Sequence, residues 1–329
     1  MKAIILGASG YGGGELFRWL LQHPKIESIE GTSRSNAGKT ISSVHPNLLG
    51  IAEGDFLESI DWTKYVHEEK LIVFACMPHG EFKDQYYLLE NEWGKLGLSE
   101  RILLIDLSDD FRVDSHFVYG LSEINKDQIK GSRRISNPGC FATALQLGIL
   151  PLAPYRPEHI FISAITGSSG SGYSASSTTH HPTRSNDFRA YKMLSHQHEA
   201  EILNSCSQKD WNPILSFVPQ SSSLVRGIFA TIQLTQNESM KASDIPMVFK
   251  DFYRNTFFVR WVNGTPRVLS TVGSNFADVH VMVQNDKVLV MVALDNLGKG
   301  MASQAIQNMN LALGFPEWTG LRQAGPYPL

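Results

Sequence analysis

The beginning of the chain restricts its fold more than any other segment. Lys2 to Leu6 reads as a short apolar strand and runs directly into Gly7-Ala8-Ser9-Gly10-Tyr11-Gly12-Gly13-Gly14, after which Leu16, Phe17, Leu20 and Leu21 carry helical spacing. Glycines at 7, 10 and 13 let the turn close and let backbone N–H groups at a helix start approach an anionic group. In a strand, turn and helix context this spacing is a dinucleotide-binding fingerprint, and Gly7, Ser9, Gly10, Tyr11, Gly12 and Gly13 are the expected cofactor contacts. The cofactor itself is expected to be NADP. Where an NAD site would carry an acid at the end of the second strand, this chain has Thr32-Ser33-Arg34-Ser35, so Ser33 and Arg34 are set to meet a 2'-phosphate. The alternative left open is that Glu30 takes the ribose and Arg34 is surface charge.

Short apolar runs at 71–75 and 102–106 continue the alternation of strand and helix, which predicts a Rossmann-type parallel sheet. From about Ile160 the texture changes to strand-like runs at 161–166, 228–234, 279–283 and 288–294. The predicted fold class is therefore α/β, a Rossmann-type parallel-sheet domain joined to an α+β catalytic domain with a mixed or antiparallel sheet. The expected division is 1–139 with 297–329 for the first domain and 140–296 for the second. Ala302, Ala305, Ile306, Met309 and Leu313 form one helical stripe expected to pack back on the first domain. The Gly/Ser-rich stretch 167–177 has linker composition but follows a strand, and reads as a functional loop.

A formal charge of -3, from 29 basic and 32 acidic residues, with no polybasic tract, points away from nucleic acid and membrane surfaces and toward small-molecule partners. The apolar run at the N-terminus is too short for a signal or membrane segment, so the cytoplasm is the expected location. Three widely spaced cysteines, Cys76, Cys140 and Cys206, fit neither a disulfide scaffold nor a structural zinc site, and no metal is expected.

Cys140 stands out among the three. It lies in Ser136-Asn137-Pro138-Gly139-Cys140-Phe141-Ala142 before an apolar helical stretch, and the first turn of a helix favours the reactive thiolate. A cysteine nucleophile with a nicotinamide cofactor narrows the chemistry to carbonyl oxidoreduction through a thioester or thiohemiacetal. Proton transfers then require an acid/base, which His196-Gln197-His198-Glu199-Ala200-Glu201 supplies. If a helix begins near His198, Glu201 shares its face and orients the imidazole; if the segment is extended, His196 and His198 share a face instead. His180-His181 competes less well, because Pro182 and neighbouring Ser and Thr suggest a surface turn.

These features resemble the N-acetyl-gamma-glutamyl-phosphate reductase family, related to aspartate-semialdehyde dehydrogenase. The resemblance runs nearly end to end: GASGYGGGEL (7–16), HPNLLG (45–50), MPHG (77–80), LSDDFR (107–112), NPGCFATA (137–144), TGSSGSG (166–172), FRAYK (188–192), HQHEAEI (196–202) and DNLGKGMASQAIQNMN (295–310). It implies that Cys140 is the nucleophile, that His196 and His198 are the acid/base histidines with His198 favoured, and that Ser169, Gly170 and Asn296 contact the cofactor. Arg112 would hold the phosphate, Asn137 would place oxyanion or phosphate near Cys140, and Glu201 is a further substrate contact. It also implies NADPH-dependent reduction of an N-acyl-gamma-glutamyl phosphate in arginine biosynthesis, by a homo-oligomer, a dimer or tetramer.

Two segments depart from the family pattern. HQH followed by Glu-Ala-Glu replaces the common HRH followed by Thr-Pro-Glu, and His180-His181-Pro182-Thr183-Arg184-Ser185 resembles the amino-adipate-phosphate reductases that act on a carrier-bound substrate. The alternatives are therefore a related acyl phosphate, amino-adipate-type or aspartyl, and a non-catalytic NADP-binding protein. A cysteine hydrolase would leave the glycine fingerprint unexplained.

Overall fold

Lys2–Leu6 forms strand β1, and the glycine turn leads into helix α1 (Tyr11–Leu20). The computed structural model describes residues 1–235 and 240–328. The alternation continues as β2 (Ser28–Gly31), α2 (Ile41–Val44), β3 (Leu71–Ala75), α3 (Phe82–Lys95), β4 (Ile102–Asp106), β5 (Val118–Tyr119), α4 (Ser122–Ile129) and β6 (Arg134–Ser136). These strands make one sheet in the order β2-β1-β3-β4-β6-β5, every pairing parallel. β3 and β4 are buried at every residue, as parallel strands covered on both faces are. The strand order reverses between β1 and β3, and open α/β sheets bind ligands beyond the carboxyl ends of the strands at such a reversal. Gly7 sits there with φ +75°, and a Cβ on it would lie 2.9 Å from the Cys76 carbonyl oxygen that follows β3. Both the backbone angle and the space demand glycine.

The chain divides into two compact units, Met1–Pro138 with Met301–Arg322 and Gly139–Gly300 with Gln323–Leu329. The last residues thus group with the second unit, whereas the sequence reading had put them in the first. The physical reason is close packing at the chain end: a Cβ on Gly273 would lie 2.8 Å from Pro326, and one on Gly325 would lie 1.8 Å from the Val272 carbonyl oxygen.

The second unit begins with α5 (Cys140–Ile149), followed by β7 (His159–Thr166), α6 (His181–Arg184), β8 (Arg189–Ala190), α7 (His198–Ser207), β9 (Ile214–Ser221), β10 (Ile228–Thr235), α8 (Ile245–Tyr253), β11 (Val259–Trp261), β12 (Ala277–Gln284) and β13 (Lys287–Leu294). Its mixed sheet has the order β11-β12-β13-β10-β7-β9-β8, with β7/β9 and β11/β12 parallel and the other pairs antiparallel. Residues 141–149 of α5 are all buried, the pattern of a helix apolar all round and sunk in a core. Gly148 lets α5 press onto the sheet: a Cβ there would be 2.4 Å from Ile232 Cδ1.

The apolar stripe beyond Gly298 belongs to a π turn (Gly298–Ala302) and then α9 (Ser303–Ala312). A single stripe predicts one buried face, yet residues 303–311 are buried on every side. Their amides make this possible by meeting buried carbonyls: Gln304 Nε2 and Asn308 Nδ2 each donate to Gly120 O at 2.8 Å, and Asn310 Nδ2 donates to Thr319 O at 2.8 Å.

Candidate active site

In the first unit the glycine turn is laced to the end of β2. Gly7 N donates to Thr32 Oγ1 (3.2 Å), Ala8 N to the Thr32 carbonyl (2.7 Å), and Ser33 Oγ to Ser9 Oγ (2.8 Å). Gly10 is the N-cap of α1, and a Cβ on it would meet nothing within 4 Å. Open space before the first turn of a ten-residue helix suits an anionic group. Gly13 instead packs inward, its Cβ position 2.2 Å from the Ala8 carbonyl oxygen, so it serves turn closure. Tyr11 and Arg34 are exposed at the rim. Glu30 is already engaged: it accepts the Tyr65 hydroxyl hydrogen at 2.7 Å.

Two family-like motifs gain a structural role that spacing did not disclose. His45 of HPNLLG lies with Nε2 2.9 Å from the Ala8 carbonyl oxygen and its ring against Phe17 and Phe56, so it buttresses the glycine turn. Asp110 of LSDDFR accepts from Gly80 N (2.6 Å) and Lys83 N (2.8 Å), which clamps MPHG over the end of β3.

Arg112 is buried, with Nε on the Asn137 carbonyl (3.1 Å) and Nη2 on the Leu107 carbonyl (3.2 Å). The Asn137 side chain is also turned inward: Nδ2 donates to Met301 O (3.0 Å) and Oδ1 accepts from Asn308 Nδ2 (3.2 Å). Asp106 joins this turn. Burial pushes its carboxyl up to about 7, against hydrogen bonds from Ser108 N and Oγ and the positive charge of Arg112.

In the second unit Cys140 is the first residue of α5, with Gly139 in extended conformation as N-cap and the Thr143 N–H and hydroxyl both donating to the Gly139 carbonyl. The other two thiols are held protonated: burial raises both, Cys206 to about 12. The histidine segment resolves as a helix, α7 starting at His198, so His198 and Glu201 share a face. Glu201 Oε2 accepts from Gly139 N at 3.0 Å, and Oε1 lies 4.0 Å from His198 Nε2. The Phe141 ring meets both imidazoles edge-on, at centroid distances of 5.6 Å to His196 and 6.3 Å to His198. One carboxylate before Cys140 and one aromatic ring after it thus tie α7 to the cysteine. His196 is 5% exposed and His198 6%, so both protons are sheltered from bulk water. His198 N donates to His196 Nδ1 at 3.2 Å, which leaves the proton of neutral His196 on Nε2. His180 and His181 are exposed, His181 opening the helical turn α6.

The TGSSGSG segment is a short 3-10 turn, with Gly167 N, Ser168 N and Ser169 N donating to the carbonyls of Gly227, Leu224 and Val225. Asn296 joins its two sides, Nδ2 donating to Ser169 Oγ (3.0 Å) and Oδ1 accepting from Gly227 N (2.7 Å). Gly170 lies against Thr166, with a Cβ position 3.2 Å from its hydroxyl oxygen.

Sequence reasoning missed three side chains here. Tyr191 stacks edge-on to His196 (5.8 Å), and burial first, then the negative charge Cys140 can carry, raises its phenol well above the usual range. Arg184 donates to Ser221 Oγ, and Arg189 is paired in the strand register with the same Ser221. Burial and the neighbouring Arg189 both lower the Arg184 pKa, so two like charges share this corner. Only tertiary pairing of β8 with β9 assembles them; the visible signals were the FRAYK motif for Arg189 and Tyr191 and the 180–185 segment for Arg184.

A parallel-sheet unit joined to a mixed-sheet unit, each matched by its own family model, places the chain among the semialdehyde dehydrogenases. The family model for the semialdehyde dehydrogenase NAD binding domain matches residues 2–132, and that for the semialdehyde dehydrogenase dimerisation domain matches 140–296. The chain is similar in fold to aspartate semialdehyde dehydrogenase II from Vibrio cholerae (TM-score 0.69, 17% identity, 94% of this chain and 97% of that one). It is likewise similar to aspartate semialdehyde dehydrogenase with NADP from Candida albicans (TM-score 0.68, 14% identity, 94% and 98%). In sequence it is 39% identical to the N-acetyl-gamma-glutamyl-phosphate reductase of Flavobacterium johnsoniae over 96% of each chain, and 36% identical to that of Methanosarcina acetivorans over 98% of each. The chain belongs to the N-acetyl-gamma-glutamyl-phosphate reductase family.

Proposed function

We propose that this chain reduces an N-acyl-gamma-glutamyl phosphate to the N-acylglutamate 5-semialdehyde and phosphate, the arginine-biosynthetic reaction its relatives are named for. The observation that carries the reading is the tie between α7 and the start of α5, with Glu201 on Gly139 N and Phe141 against both imidazoles. Cys140 Sγ, as thiolate, attacks the gamma-carbonyl carbon; the carbon–sulfur bond forms and the bond to the phosphate oxygen breaks. NADPH, when bound at the glycine turn, supplies the hydride that reduces the thioester. His198 lends its proton to the oxygen of the thiohemiacetal and takes it back as the carbonyl re-forms, while the carbon–sulfur bond breaks to return the thiolate. Glu201, buried and already bonded to Gly139, orients His198 rather than reaching substrate. Arg112 gives its charge to the departing phosphate, and Asn137 acts by holding the turn that Arg112 grips. Arg184 and Arg189, beside Tyr191 and sharing the half-exposed Asp187 carboxylate 3.8 Å from Arg189 Nε, suit the free carboxylate of a glutamyl substrate.

The cofactor is read as NADPH because Glu30 is occupied by Tyr65 while Ser33 and Arg34 stand at the end of β2. Ser169 and Gly170 meet its nicotinamide end, with Asn296 holding the Ser169 hydroxyl. Arg34→Ala is expected to raise the KM for NADPH about tenfold, roughly 1.4 kcal/mol, and to leave the KM for NADH unchanged. Steady-state kinetics with both cofactors decide the matter, and equal effects on the two would return the site to NAD.

We also read the chain as a homo-oligomer. Ser216, Phe161, Gln233, Leu289 and Met282 stand in register across five strands on the sheet face opposite α5, and Phe161 and Met282 are more than half exposed. A second copy would cover the Phe161, Leu289 and Met282 side chains on that face. Cys76, Cys140 and Cys206 form no disulfide among the described residues, in keeping with the cytoplasm, and no helix among the described residues is long and apolar enough to cross a membrane. The reaction is tested in reverse, by phosphate-dependent NADP reduction with a panel of N-acetyl, N-succinyl and unacylated semialdehydes. Turnover confined to aspartate semialdehyde would overturn the assignment.

A further inference from the structure

We propose that Gly300 is a positioning residue for the Cys140 nucleophile, acting through the π turn Gly298–Ala302. The inference rests on Cys140 being the nucleophile and goes beyond that reading by naming what holds it in place. Gly300 N donates to the Asp295 carbonyl at 2.8 Å, the wide i to i−5 bond of a π turn. A Cβ on Gly300 would lie 2.9 Å from Cys140 Cβ, 3.3 Å from Cys140 Cα and 3.1 Å from Asp295 O. The turn therefore lies directly against the backbone of the nucleophile, and only a residue without a side chain leaves Cys140 where α5 puts it.

The turn has no room to back away. A Cβ on Gly298, two residues earlier, would lie 2.6 Å from the Ser274 carbonyl oxygen, so the turn is confined there as well. Its root is anchored by Asp295, which is fully buried and accepts from Arg226 Nη2 (2.7 Å), Arg226 Nε (3.2 Å), Gly273 N (2.7 Å) and Leu297 N (3.0 Å). Asn296 adds its bonds to Ser169 and Gly227. Lys299, also fully buried, seals the turn with its ammonium 5.9 Å from the centre of the Phe258 ring. π turns are rare and geometrically poor, and they persist where surrounding contacts over-determine them. Here those contacts converge on a residue whose one distinctive neighbour is the nucleophile. The same segment carries the Asn296 bond to Ser169, so the Ser169 loop and Cys140 are set by one short piece of chain.

Gly300→Ala is the direct test, with Asp295→Asn as a second variant that loosens the anchor without adding an atom. The measurements are kcat and KM in the reverse assay, NADPH affinity by fluorescence, and the iodoacetamide alkylation rate of the Cys140 peptide against pH, followed by mass spectrometry. Gly300→Ala is expected to lower kcat about a hundredfold, since misplacing a reacting group by about 1 Å costs that much, with NADPH affinity within about twofold of wild type. Its Cys140 alkylation profile is expected to shift in limiting rate or midpoint, which a general loss of stability would not produce in the folded fraction. Asp295→Asn is expected to change both in the same direction by about tenfold, and it decides the question if Gly300→Ala does not fold. The proposal is overturned if kcat stays within about twofold of wild type, or if kcat falls while the alkylation profile is unchanged. Failure of the underlying reading looks different: Cys140→Ser would retain turnover whatever the alkylation profile does.

Discussion

Cys140→Ser is expected to lower turnover by about four orders of magnitude or more, while NADPH affinity and the urea unfolding midpoint stay at wild-type values. The substitution replaces one atom and adds no volume, so packing at the start of α5 is preserved. What it removes is the proposed nucleophile: a serine hydroxyl is far less acidic than a thiol, and a helix N-terminus shifts such a group by too little to ionise it near neutral pH. The other thiols provide no substitute, because burial raises the pKa of both Cys76 and Cys206. Acid-quenched enzyme given acyl phosphate without NADPH should carry an acyl group on the Cys140 peptide in wild type and none in the variant. Retention of more than about a tenth of the wild-type rate would show that the hydride is delivered to a non-covalent substrate.

The second large effect is expected at His198. His198→Asn should lower kcat by about 10²–10⁴-fold with little change in substrate KM, the range seen when a general acid or base is lost. His196→Asn should cost less, about tenfold, because its Nδ1 is spent accepting from the His198 backbone and its ring is packed among Phe141, Phe217 and Tyr191. The asymmetry comes from the carboxylate. Glu201 stands beside His198 Nε2 and bonds Gly139, so it links the His198 ring to the residue before Cys140. The pH profile discriminates further, since loss of the acid/base removes one limb of kcat against pH and a packing defect does not. A larger loss at His196 than at His198 would reverse their roles.

Much of this molecule is legible along the chain, and the reasons are local. Glycine spacing at 7, 10 and 13 after a five-residue apolar run admits few conformations, so the first strand, turn and helix are where they were expected. Cys140 was marked by its place before an apolar helix, and His198 and Glu201 by their spacing. The ambiguity between extended and helical geometry at 196–201 was real, because three residues satisfy either period; burial of Ile202, Ser205 and Cys206 on one face of α7 resolved it. The stripe from Ala302 to Leu313 indicated a helix but not its burial on all sides, since an amide's partner carbonyl can come from anywhere in the fold.

By itself the sequence determined the class of fold and marked Cys140 and the 196–201 segment as candidates, because each rests on short-range geometry: a turn that only glycines close, a helix start, an i, i+3 pair. Only the tertiary structure decided which groups confront one another across the chain. Gly300 against Cys140, Arg184 and Arg189 at Ser221, Glu30 turned to Tyr65, and the chain end returning to Val272 and Gly273 all join residues remote in sequence. Such contacts are set by packing of whole elements under excluded volume and by the need to satisfy every buried polar group, and neither constraint is written in any local run of residues.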